Sequence, residues 1–164
     1  MNRITFLGTG TSTGVPYLGC DCPTCASTDP RDKRLRCSAL VQTASANILI
    51  DCSPDFRQQM LRLNFRGTLD ALFITHEHYD HVGGIDDLRP FSYSRSLPIY
   101  ADPYAASHLR QRLPYCLVEN KYPGVPQLQL YDLQPYETAL VNDTEVTALQ
   151  VMHGQLPVFG YRIG

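Results

Sequence analysis

The sequence predicts an α/β fold in which a layered sheet carries helices on its outside, and three observations support this. Short apolar or alternating runs bounded by Gly, Pro, Asn or Asp recur early and late in the chain, as strands do. Between them, Ser53-Pro54 and Asp102-Pro103 pair a capping residue with proline, a helix-start signal. The 164 residues, 43% hydrophobic and 18% charged, suffice for one ordinary domain over 1–164 with a core of its own.

Taken in order, Arg3–Leu7 is a strand leading into the glycine-rich loop Gly8–Gly14. No Gly-Lys-Ser/Thr follows, and Val15-Pro16 opposes a helix start, so the loop by itself is a turn rather than a nucleotide cradle. A cysteine-rich insert occupies about 19–37. Ser38–Thr43 and Asn47–Asp51 flank Ala44-Ser45-Ala46 as a β-hairpin. The helix opened by Ser53-Pro54 repeats Phe56, Met60 and Leu63 at i, i+4 and i+7, so one face lies on the sheet. Ala71–Ile74 reads as a buried strand, and Gly84–Pro90 as a short helix or turn ended by proline. Pro98–Ala101 is another strand, and Asp102-Pro103 starts a helix to about Arg112 that carries the surface residue His108. Pro114–Pro126, with three prolines and no period, is a loop bordering a cleft. Leu128–Leu133, Thr138–Val141, Glu145–Met152 and Val158–Ile163 complete the strands.

The chemistry concentrates in Thr75-His76-Glu77-His78-Tyr79-Asp80-His81, directly after the buried strand. Three histidines and an aspartate within six residues form a metal-ligand set, since imidazole suits zinc, iron or manganese and a carboxylate adds a hard oxygen. His76 and His78 are two apart, so an extended backbone puts both rings on one side. Asp86 and Asp87 are placed to hydrogen-bond ligand rings, although acids at a helix start explain them almost as well. Cys20, Cys22 and Cys25 lie close enough on a Pro-containing loop to surround one zinc ion, with Cys37 the nearby candidate for a fourth ligand. Cys52 and Cys116 have apolar or aromatic neighbours and read as core cysteines. Arg31, Lys33, Arg34 and Arg36 form either a solvated patch or a phosphate-steering edge.

The H-x-H-x-D-H run followed by Gly83-Gly84 resembles the signature of the metallo-β-lactamase superfamily. The resemblance extends to Ile48-Leu49-Ile50-Asp51, with Asp51 as a supporting aspartate, and to Met152-His153-Gly154. It implies that His76, His78 and His153 hold one metal while Asp80 and His81 hold a second, Asp80 also orienting the attacking water as the catalytic residue. The cysteine insert after G-T-G-x-x-x-G-V-P is similar to the branch containing the phosphoribosyl cyclic phosphodiesterase of the carbon–phosphorus lyase pathway. That likeness implies a structural zinc on Cys20, Cys22 and Cys25 with a C-terminal histidine as fourth ligand, and puts the glycine-rich loop at the rim of the active site.

The implied fold is the superfamily's αββα sandwich, expected here to be truncated after its first half and part of the second. The family's bridging aspartate, further layers and last histidine have no counterpart before Gly164. The implied cofactors are two catalytic zinc ions, with manganese as an alternative, plus one structural zinc. The implied activity is hydrolysis of a small-molecule cyclic phosphodiester. A tRNA 3′-processing endonuclease, a thioester or lactam hydrolase and a non-catalytic metal-binding protein share the motif.

A net charge of −2 gives no footprint for nucleic-acid binding, and no apolar run is long enough for a signal peptide or a membrane span. A cytoplasmic location is therefore expected. Open sheet edges left by missing strands would favour a homodimer.

Overall fold

A computed structural model describes residues 2–118 and 121–164. Among the described residues, nine strands form two sheets. The first has the order β1 (Arg3–Gly8), β2 (Ser38–Gln42), β3 (Asn47–Ile50), β4 (Ala71–Phe73), β5 (Leu97–Ala101) and β6 (Leu128–Asp132). Its first three strands are antiparallel, and β3 to β6 run parallel. The second sheet is the antiparallel meander β7 (Thr138–Val141), β8 (Thr144–His153) and β9 (Leu156–Ile163). The helices are α1 (Pro23–Ala26), α2 (Phe56–Leu63), α3 (Tyr79–Val82), α4 (Pro103–Arg112) and α5 (Pro114–Leu117), with 3-10 turns at Pro30–Asp32 and Ile85–Phe91.

Alternation along the strands divides the apolar residues between two cores. One face of the first sheet sends Leu40, Leu49, Leu72 and Ile99 against Phe56 and Met60 of α2 and Leu109 of α4. The other sends Val41, Ile48, Ala71 and Phe73 against Ala139, Val146, Ala148 and Phe159 of the second sheet. The result is helix layer, sheet, sheet. Phe73 is the aromatic pin between the sheets, stacked on Tyr100 at 4.7 Å and edge-on to Tyr161 at 5.1 Å. At the end of the sandwich where β4 exits, Tyr161 donates to the Ile74 carbonyl (2.5 Å) and the Phe159 amide to the Thr75 carbonyl (2.9 Å). At the opposite end, Thr43 and Thr144 share a hydroxyl contact of 2.7 Å and Asn142 donates to the Ser45 carbonyl.

The expected hairpin, the buried strand at Ala71 and the C-terminal strands are all present, and the helix from Asp102 is capped as expected by its carboxylate on the Tyr104 and Ala105 amides. Three details differ. Ser53 caps a turn, accepting from the Asp55 amide, and α2 begins only at Phe56. Asp55 stands at its cap position, but its carboxylate is taken by the Arg36 amide and guanidinium. The expected loop Pro114–Pro126 opens with α5; Glu119 and Asn120 of that loop lie outside the described residues. The strand at Val158 starts earlier, at Leu156, making β8–β9 a long hairpin turning at Gly154-Gln155. Among the described residues, no helix is long and apolar enough to cross a membrane.

Candidate metal centre

Strand direction gathers the chemistry at one end of the sandwich. The parallel strands β3 and β4 both end there, delivering Asp51 and the segment from Thr75 to His81, and the long β8 carries His153 to the same place. Donor atoms of His76, His78 and His153 all lie within 4.8 Å of one another. The nearest approach is His76 Nε2 to His78 Nδ1, at 3.1 Å.

Hydrogen bonds fix which nitrogens are free. Asp51 is buried and accepts from the Thr75 amide (2.8 Å), the Thr75 hydroxyl (2.9 Å) and His81 Nδ1 (2.6 Å). With its proton given to Asp51, the Thr75 hydroxyl accepts from His76 Nδ1 at 2.9 Å. That leaves His76 Nε2 unprotonated and facing His78. By the same logic His81 donates through Nδ1 and presents Nε2, which lies 3.2 Å from Asp80 Oδ2. Carboxylate-backed imidazoles of this kind are oriented and made more basic for metal binding.

For His76 the electrostatics agree. Burial, reinforced by His81 nearby, lowers the His76 pKa to about 4, so its ring is the neutral form a metal requires. Burial also disfavours charge on His81, but the Asp51 carboxylate, helped by Asp80, outweighs it and raises its pKa. Asp51 adopts a left-handed φ of 56°, a conformation that short polar side chains tolerate best. The donor set thus fits metal ions: three clustered imidazoles for one, and the adjoining Asp80 and His81 pair for another.

Backbone closeness holds this loop in place. The Cys52 amide donates to the His81 carbonyl and the Gly84 amide to the Cys52 carbonyl. A Cβ on Gly84 would stand 2.1 Å from the Ser53 carbonyl oxygen, which is why glycine follows the motif. Arg112, at the end of α4, donates to the Glu77 carbonyl between the two histidines at 2.6 Å. Sequence reasoning did not find Arg112, because 35 residues separate it from Glu77. Thr75 was within the quoted run and is the one missed group that its position could have disclosed.

Asp86, expected to support a ligand histidine, is engaged elsewhere. Its two oxygens accept from Arg89 (2.5 Å) and the Tyr115 hydroxyl (2.9 Å), because the 3-10 turn aims it toward α5. Cys20, Cys22 and Cys25 form a second cluster, their sulfurs within 4.8 Å. The Tyr17 amide points at the Cys25 sulfur (3.4 Å), and the Cys25 amide lowers the pKa of the exposed Cys22 thiol. Cys37 does not join that group. It lies on the stretch leading into β2, where burial and the Asp51 and Asp80 carboxylates raise its pKa. Of the basic patch, Arg36 is committed to Asp55, Arg31 to Asp29, and Lys33 to the Cys25 carbonyl.

Comparison with known proteins follows the same lines. Residues 46–164 match the beta-lactamase superfamily domain. The chain is 51% identical to a protein named octanoyltransferase from Porphyromonas gingivalis, over 99% of this chain and 33% of that protein. It is 30% identical to ribonuclease Z from Acaryochloris marina, over 98% of this chain and 47% of the relative. A crystal structure described as a new diphosphatase from the PhnP family superposes with a TM-score of 0.89 at 36% identity, covering 100% of this chain and 63% of the other. Zn(2+)-bound PqqB from Methylobacterium extorquens superposes with a TM-score of 0.68 at 22% identity, covering 99% and 58%, a likeness of fold. The chain thus spans between a third and two thirds of the length of these relatives. With two layered sheets, a histidine cluster at the strand ends and a domain match over more than half its length, the chain belongs to the metallo-β-lactamase superfamily.

Proposed function

We propose that this chain carries the metal site of a metal-dependent hydrolase, a phosphodiesterase for small cyclic phosphates such as phosphoribosyl cyclic phosphate. The observation behind this reading is the paired donor set: His76, His78 and His153 within 4.8 Å of one another, beside an Asp51-held His81 that faces Asp80. The 36% identical diphosphatase structure, aligned over the whole chain, favours hydrolysis at phosphorus. Zinc fits the imidazole-rich set and manganese the mixed nitrogen and oxygen donors; bound ions would supply Lewis acidity toward a phosphoryl oxygen. His76 and His78 would hold one ion with His153, and Asp80 with His81 would hold the other. Asp51 and Thr75 keep the rings in the tautomers this requires, and Asp80 is the group placed to orient a water. The cysteine cluster would take a structural zinc.

The 30% identity to a ribonuclease Z supports an endonuclease as a second reading. The net charge of −2 opposes it, since phosphate-backbone binding needs a basic face. The octanoyltransferase name belongs to a protein of which this chain matches 33%, so it does not bear on this site in particular.

Two measurements test the proposal. Elemental analysis should find zinc at both clusters, one share lost in His76→Ala and another in Cys22→Ser. The metal-loaded protein should hydrolyse bis(p-nitrophenyl) phosphate, and His76→Ala should not; absence of turnover with the histidine site filled would favour a metal-binding role without catalysis. A homodimer is also proposed, because Ile4 and Phe6 of edge strand β1 are 56% and 68% exposed. Sedimentation should therefore give twice the chain mass, and a monodisperse monomer would refute it.

A further inference from the structure

Beside the metal loop lies a cavity of about 320 Å³ that the proposed chemistry does not use. Its floor is apolar, formed by Val82, Ile85, Leu109 and Leu113, and two tyrosines stand at its mouth. Tyr79 is 64% exposed and Tyr115 41% exposed, so both rings can be reached by a ligand entering from solvent. Polar groups are few and fixed: Asp86, held by Arg89 and Tyr115, and Arg112, anchored on the Glu77 carbonyl. An apolar pocket with aromatic walls and a few oriented polar groups is the makeup of a small-molecule site.

The cavity shares its wall with the metal centre. In α3 and at its C-cap, Tyr79, Val82 and Gly83 line the cavity at i, i+3 and i+4, while the intervening Asp80 and His81 form the metal-facing pair. Arg112 touches both, lining the cavity and holding the backbone between His76 and His78. Tyr79, which lines the cavity, is the residue between His78 and Asp80, so cavity and metal loop share it.

We propose that this cavity is a subsite for the nucleobase of a nucleoside phosphate ester, stacked between Tyr79 and Tyr115 with its polar edge toward Asp86 and Arg112. This rests on the phosphodiesterase reading for its link to the metal, and it narrows the substrate class from any small phosphodiester to one bearing a base. The chemistry matches on each count. Base rings stack on tyrosine faces, guanidinium and carboxylate groups meet ring acceptors and donors, and the apolar floor excludes water from the ring edge. Tyr115 remains a neutral phenol, its pKa pushed up to about 12 by burial and by Asp86.

Adenosine, which has no phosphate, separates this proposal from the hydrolase reading. Saturation-transfer NMR on the 164-residue protein should show transfer to the adenine protons of adenosine and none to ribose. Affinity should fall about tenfold in Tyr79→Ala and in Tyr115→Ala and be kept in Tyr79→Phe. In wild-type protein, which needs no variant to fold, intermolecular NOEs should join adenine H2 or H8 to methyls of Val82, Ile85 or Leu109. His76→Ala should leave adenosine binding unchanged while abolishing phosphodiester turnover. Adenosine binding without turnover would overturn the hydrolase and leave the subsite standing. No transfer to adenosine, no NOE to these methyls, or wild-type affinity in both alanine variants would overturn the subsite.

Discussion

Asp51 is the residue on which the metal centre depends most, although it is a candidate ligand to neither ion. Its carboxylate accepts from two Thr75 groups and from His81, so it sets the tautomer of His81 directly and of His76 through the threonine hydroxyl. Asp51→Asn keeps the shape but offers an amide where one oxygen now accepts. We expect metal affinity to fall roughly 10- to 100-fold, as loss of such supporting partners does, measured by competition with a chromogenic chelator. Unchanged affinity would mean that the tautomers are set by something other than this carboxylate. Most of this was legible in the sequence, since His76, His78 and His153 meet as their motif implies and Asp51 ends the strand it was placed on. Asp86 and Arg112 were not. Hydrogen bonds of a side chain in a 3-10 turn depend on its aim, and contacts across 35 residues leave no local pattern.

Among the elements, periodicity located nearly every strand, and helix-start signals found α4 to the residue. For α2 the signal misled by two residues, because Asp55 at the cap was claimed by Arg36, a partner 19 residues away. That pairing has a pH signature. The Arg36 hydrogen bonds hold the Asp55 carboxyl below its ordinary value. Its contribution to stability is therefore complete above the unfolded value near 4 and lost as the pH falls through the lower folded value. In urea unfolding, wild type should exceed Asp55→Asn at pH 7, and the gap should close below about pH 4. A gap independent of pH would assign the effect to packing. The turn after α3 allows a harsher test. Gly84→Ala forces a Cβ to 2.1 Å from the Ser53 carbonyl, so the metal loop or α2 must shift, at a cost of about 1–3 kcal/mol in the same assay.

At the scale of the whole molecule, two facing sheets were implied by the family resemblance, but the order of the strands could not be read from the chain. Alternation shows that a strand has two faces, not which neighbour covers each. The sandwich solves this with Phe73 between Tyr100 and Tyr161, and with His153 brought from the second sheet to the loop of the first. An ion shared by His76, His78 and His153 would then join the two sheets. Saturating zinc at about 100 times its Kd should raise stability by about 2.7 kcal/mol. That corresponds to a rise of several degrees in Tm by calorimetry. The rise should vanish on chelation and shrink in His153→Ala, the remainder belonging to the cysteine cluster; a rise undiminished in His153→Ala would place the stabilising ion in the cysteine cluster alone. The bond from the Phe159 amide to the Thr75 carbonyl gives this arrangement a clock. When the β8–β9 hairpin lifts and carries His153 away from the loop, that amide is freed in the same opening. Hydrogen exchange at Phe159 and escape of the ion should therefore run at matched rates, so that one isotope-labelling experiment times how long the protein keeps its metal.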